Sequence, residues 1–184
     1  NFVSNSMAIK VSETEFVLMR PGLSLLQPLI DALTVERKDI QLHIIFPNAY
    51  HFMGVQAWMD EFKNVTLYAS TAAAEQLKEK GFEDQKILIL EDQKPPLPDD
   101  YSILFPPGHR GGDIWIRKQI PAKAHHENTS TWITCDSFLN YERLSNQPVA
   151  RMMQKALNAA PGLKISQVIK WFILKDKRVF KLWL

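Results

Sequence analysis

The chain has 184 residues, 46% hydrophobic, 10% aromatic and 23% charged, a soluble globular profile long enough for a sizeable core. Lys and Arg total 22 against 20 for Asp and Glu, and a net charge of +2 asks for no nucleic-acid or other polyanionic partner. No apolar run reaches the roughly 18 residues of a membrane helix, and the single cysteine, Cys135, excludes an internal disulfide or a Cys-based zinc cluster.

MAIKVS and EFVLMR, from Met7 to Arg20, read as a hairpin around a polar Glu13-Thr14 turn. LSLLQPLIDALTVE then has helical apolar spacing at Leu23, Leu26, Leu29, Ile30 and Leu33. Its Pro28 lacks an N–H and is tolerable only near a helix start, so the helix is expected to begin close to it. IQLHIIF, from Ile40 to Phe46, is a continuous apolar run of strand length, expected to be buried on both faces. A loop PNAYHFMG, a helix VQAWMDEF and a strand VTLYAS follow. TAAAEQLKEKG reads as a helix capped by Thr71 at its start and Gly81 at its end.

This strand–helix alternation predicts an α/β arrangement with helices on a sheet. The style then changes. KILIL, YSILF, DIWIRKQ and STWITCD read as four further strands without intervening helices, and EDQKPPLPDD between the first two is a solvated acidic loop. From Pro148 the pattern is helical again, through VARMMQKALNAA, SQVIKWFIL and KDKRVFKLWL. Neither repeats nor low-complexity segments interrupt the chain, and a single domain over 1–184 is expected.

Three polar positions follow apolar strands, where α/β folds place their sites: His51, His109 in PPGHRGG, and Asp136 in TWITCDSF. Two imidazoles and a carboxylate suit a divalent metal such as zinc or iron. Each also has an ordinary reading, a loop histidine that makes hydrogen bonds or an aspartate that caps a turn. His43, inside an apolar strand, reads as a satisfied core histidine, and His125-His126-Glu127 as a solvated turn. Cys135 has no base within sequence reach and reads as packing. GHRGGD lacks the glycine spacing of a nucleotide loop. Lys170, Lys175, Lys177, Arg178 and Lys181, among Trp171, Phe172, Phe180 and Trp183, read as a solvated helix face backed by a core face.

The order of these pieces resembles the metallo-β-lactamase fold superfamily. In IIFPNAYHFMG, LFPPGHRGGDIWI and TWITCDSFLN the chain resembles that family's His-x-His-x-Asp-His-x-Gly, Pro-Gly-His and late-aspartate motifs. The likeness covers most of Met7 to Asn140. It implies a four-layer αββα sandwich. Laid on the first motif, Phe46 and Asn48 stand at the first two histidines, Tyr50 at the aspartate, and His51 keeps the last position. One metal site would retain His109 and Asp136, the other His51 and Asp136. The family's final histidine lies on a late loop after helices. No histidine occurs after His126 to supply it.

Two functions from different classes follow from the resemblance. One is a protein with a degenerate metal site that binds a small molecule or a protein without strong hydrolysis. The other is a hydrolase with a single divalent metal (zinc or iron) held by His51, His109 and Asp136, acting on an ester, thioester or phosphoester. Asn48 and Tyr50 are expected to line the same cleft. The protein is expected to be cytoplasmic, since NFVSNSMAIK lacks a signal-peptide pattern. No membrane partner is expected, while apolar Trp183 and Leu184 offer a surface for self-association.

Overall fold

A computed structural model describes residues 6–121, 129–135, 137–165, 167 and 169–184. β1 (Met7–Lys10) and β2 (Glu15–Met19) form the expected hairpin. β2, β3 (Gln41–Ile45), β4 (Asn64–Ala69) and β5 (Ile87–Ile89) then run parallel in the order β1-β2-β3-β4-β5. β6 (Tyr101–Leu104), β7 (Trp115–Ile120) and β8 (Thr129–Ile133) make a second, antiparallel sheet.

Side-chain alternation along the strands builds two cores. Phe16, Leu18, Leu42 and Ile44 face one way, onto Leu29 of α1 (Leu23–Ala32), Trp58 of α2 (Val55–Glu61) and Leu77 of α3 (Thr71–Leu77). Val17, Met19, Ile45 and Tyr68 face the other way, onto Ile103, Ile114 and Ile116 of the second sheet. The outer face of the second sheet presents Trp115 to Ile169, Leu174 and Phe180, the last on α5 (Lys177–Trp183). Helix, sheet, sheet, helix is the αββα order that the resemblance implies. β3 is buried on both faces, as its unbroken apolar run requires.

His43 lies on the inter-sheet side, with Nδ1 3.1 Å from the Tyr68 hydroxyl and Nε2 3.0 Å from a Glu15 carboxylate oxygen. It is a satisfied core histidine. Burial and then the Glu15 charge push the Tyr68 hydroxyl's pKa above its ordinary value.

Three local expectations are corrected. α1 begins at Leu23, so Pro28 lies inside it and withholds its hydrogen bond from the Ser24 carbonyl. Packing of Leu25, Leu26, Leu29 and Ile30 on the core offsets that loss. The cap of α3 is Ser70, whose extended backbone lets its hydroxyl accept from the Ala73 N–H at 3.3 Å; Thr71 is already helical. Gly81 does end this helical stretch, in the left-handed region at φ 94°. The third correction is at the C-terminal end. The helix expected over SQVIKWFIL is a π-helix at Ile169–Ile173, wider than an α-helix, which leaves Trp171 and Phe172 exposed. A short antiparallel pair, β9 (Leu139–Tyr141) with β10 (Gly162–Lys164), precedes it, and α4 (Pro148–Ala156) lies between the two. Among the described residues no helix is long and apolar enough to cross a membrane.

Candidate functional site

The parallel strands β2, β3 and β4 end at one edge, at Met19, Ile45 and Ala69, so that Arg20, Phe46 and Ser70 follow there. Pro-Gly-His-Arg-Gly-Gly-Asp, from Pro107 to Asp113, crosses this edge and is fastened there from three sides. Ala49 N–H donates to the Gly111 carbonyl at 2.9 Å, and Ile114 N–H to the Pro47 carbonyl at 2.9 Å. Ser70 Oγ donates to the Gly112 carbonyl at 2.7 Å and Gln76 Nε2 to the Arg110 carbonyl at 2.8 Å. From the C-terminal side, Arg110 N–H donates to the Ile173 carbonyl at 2.8 Å and Lys175 N–H to the Gly108 carbonyl at 2.7 Å. His109 itself pairs with Leu174 in an isolated antiparallel bridge.

Gly108 and Gly112 make this loop possible. Both are left-handed, at φ 78° and 65°, where a side chain is strained. A Cβ on Gly108 would stand 2.4 Å from the Asp176 carbonyl oxygen, and one on Gly112 2.3 Å from Ser70 Oγ. Gly111 lets the Tyr50 ring lie flat against the loop, since a Cβ there would meet Tyr50 Cε2 at 2.5 Å.

The side chain at the centre is Asp113, which the sequence analysis did not single out. Asn48 Nδ2 donates to its Oδ1 at 3.1 Å. Trp115 Nε1 and Ser137 Oγ donate to its Oδ2 at 3.1 and 2.5 Å, and His109 Nε2 lies 3.9 Å from the same oxygen. The His109 and Asp113 side chains are both 0% exposed. Burial raises the Asp113 pKa above the ordinary carboxylate value; His109 and the bonds from Ser137, Asn48 and Trp115 pull it back only in part. A buried carboxylate without such donors would be strongly unfavourable.

The structure therefore brings together Asn48 and His109, with Asp113 between them. Tyr50 adjoins this group. Its N–H donates to Asn48 Oδ1 at 2.9 Å, while Lys80 Nζ sits 4.9 Å from its ring centroid and donates to the Ala49 carbonyl at 2.6 Å. His51 is half-buried, with its N–H 3.4 Å from the Asn48 carbonyl. Asn48 is fully buried, while Tyr50 is 37% exposed. Phe46 is fully buried on the helix side of the first sheet, edge-on to Phe82 at 5.1 Å. Asp136 and the His125-His126-Glu127 turn lie outside the described residues. The Cys135 thiol is buried.

Phe46 offers no ligand atom, the Asn48 amide is engaged at both ends, and both Asp113 oxygens already accept hydrogen bonds. Among the described residues no three His, Cys, Asp or Glu side chains are placed to hold an ion. A catalytic metal needs three protein ligands and an open position, which the described residues do not supply by themselves; Asp136 of the expected set lies outside them.

No family model matches the chain, and none of the curated proteins matches it. Among solved structures the chain is similar to one described as a B3 metallo-β-lactamase with an active-site glutamic acid. The identity is 17% and the TM-score 0.45, over 84% of this chain. The chain spans 65% of that protein's length.

Proposed function

We propose that this chain is a small-molecule-binding protein on a metallo-β-lactamase-like sandwich, with a degenerate metal site in which His109 serves the fold rather than hydrolysis. The observation that carries this reading is the complete burial of the His109 and Asp113 side chains beneath a loop tied to residues 173–175. A hydrolytic metal must offer a coordination position to water and substrate, and a fully buried imidazole does not itself face solvent. Asp113 supports the same reading, because its hydrogen bonds from Asn48, Trp115 and Ser137 join the ends of strands from both sheets. His51 and Asp136 complete the degenerate ligand set in this reading.

The test loads the protein with zinc, manganese or iron and assays a panel of lactams, thioesters and phosphodiesters beside His109→Ala. The expected result is no turnover above that of the variant. Robust turnover that disappears in His109→Ala would instead establish the single-metal hydrolase.

A further inference from the structure

Two adjoining cavities open along the second sheet. The larger, about 620 Å³, is walled by Trp115, Trp132, Trp183, Phe138 and Leu163, with Thr134 as a polar neighbour. The second, about 550 Å³, shares Trp132, Thr134, Phe138 and Leu163 with it and adds Arg20, Ser6 and Pro47. Volumes of this size suit a small organic molecule. Trp132 and Leu163 stand at the opening, 49% and 68% exposed.

The cation beside the second cavity is Arg20. Arg20 follows β2 and precedes Pro21, which disfavours the right-handed helical conformation for it; it adopts φ 54°. A non-glycine residue held in the left-handed region is uncommon and concentrates at functional sites. Its Nε is buried and has no hydrogen-bond partner among the described residues, which also place no ion pair on its guanidinium. A second cation lies nearby, for the Arg117 guanidinium stands 5.8 Å from the Trp132 ring centroid. No Asp or Glu side chain among the described residues lines either cavity.

An aromatic-walled cavity beside a guanidinium whose buried Nε lacks a partner is complementary to a molecule that is apolar at one end and anionic at the other. We infer that the paired cavities bind an apolar monocarboxylate, its hydrocarbon body among Trp115, Trp132 and Trp183 and its carboxylate on Arg20. Guanidinium suits this role because its planar N–H fork matches a carboxylate in two parallel bonds. This inference rests on the binding-protein reading and gives it a ligand class.

The experiment titrates the whole chain calorimetrically with 2-naphthoate and with 2-naphthol, its uncharged analogue of similar shape. Naphthoate is expected to bind at least about tenfold more tightly, the gain of a charge-assisted hydrogen bond. Arg20→Asn should remove that advantage and leave naphthol unchanged, since asparagine tolerates the left-handed backbone and keeps the turn. On the unaltered protein, added sodium chloride should weaken naphthoate and not naphthol. Equal affinities for the two compounds, salt-independent naphthoate binding, or no binding of either would overturn the inference. Metal-dependent turnover of the substrate panel would instead sink the binding-protein reading, so the two failures are distinct.

Discussion

Asn48 Nδ2 donates to Asp113 Oδ1 at 3.1 Å, joining the loop after β3 to the start of β7 across 65 positions of sequence. Both side chains are shut away from water, so neither can replace the other by solvent. Asn48→Leu should therefore lower stability by about 2–4 kcal/mol, because it strands a buried acceptor besides losing the bond. In a double-mutant cycle with Asp113→Asn the two losses should fall short of additivity by about 1 kcal/mol or more. Urea unfolding at neutral pH measures both, and fully additive losses would show that the pair is not coupled.

Asp113 also sets a pH dependence. Its folded-state pKa is raised, chiefly by burial, above the ordinary carboxylate value. The stability it contributes is therefore complete below about pH 4, where the unfolded chain also holds the proton. That contribution is lost as pH rises through the folded value and the buried charge forms. Asp113→Asn has no proton to lose. The stability of the unaltered protein relative to this variant should shrink steadily from pH 4 upward, as read by urea midpoints at a series of pH values. A relative stability that grows with pH would contradict the assignment.

The loop glycines should rank by what their Cβ would meet. Gly108→Ala faces the Asp176 carbonyl at 2.4 Å from a left-handed backbone, and Gly112→Ala faces Ser70 Oγ and the Ala73 nitrogen at 2.3 and 2.7 Å. Each should cost about 2–4 kcal/mol from the combined conformational and overpacking penalties. Gly111→Ala meets only the Tyr50 ring, which can swing outward, and its backbone lies outside the left-handed region. It should cost less than either of the others in the same thermal melts.

Much of the fold was legible because burial leaves a periodic mark. The unbroken IQLHIIF run announced a strand with two covered faces, and the change from alternating strands and helices to consecutive strands marked the second sheet. Pro28 misled because a local rule was outweighed by leucines packing on the core. Ser70 was missed because a cap is defined by which residue stays extended, and Ser-Thr offers two candidates. Asp113 was missed for a different reason. A carboxylate opening an apolar strand reads as a surface residue, and the donors that make its burial tolerable come from Asn48 and Ser137, far away in sequence. Its spacing of four from His109 was the one available signal.

Trp115 ties the central carboxylate to the cavity wall. Its Nε1 bonds to Asp113 and to Ser137, each at 3.1 Å, while its ring meets Trp183 at 4.9 Å and Phe180 at 6.1 Å between centroids. Trp115→Phe keeps an apolar ring and removes the donor. It should lower stability by about 1–3 kcal/mol. An unchanged urea midpoint would mean that the indole N–H contributes nothing to holding Asp113.

We propose that the buried His109, Asn48 and Asp113 side chains form a structural centre and not a catalytic metal site. The most direct measurement is the zinc, iron and manganese content of the purified chain by elemental mass spectrometry, after exposure to excess metal and gel filtration. The account predicts well under one ion per chain, unchanged in His109→Ala. One or two ions per chain that are lost in His109→Ala would contradict it.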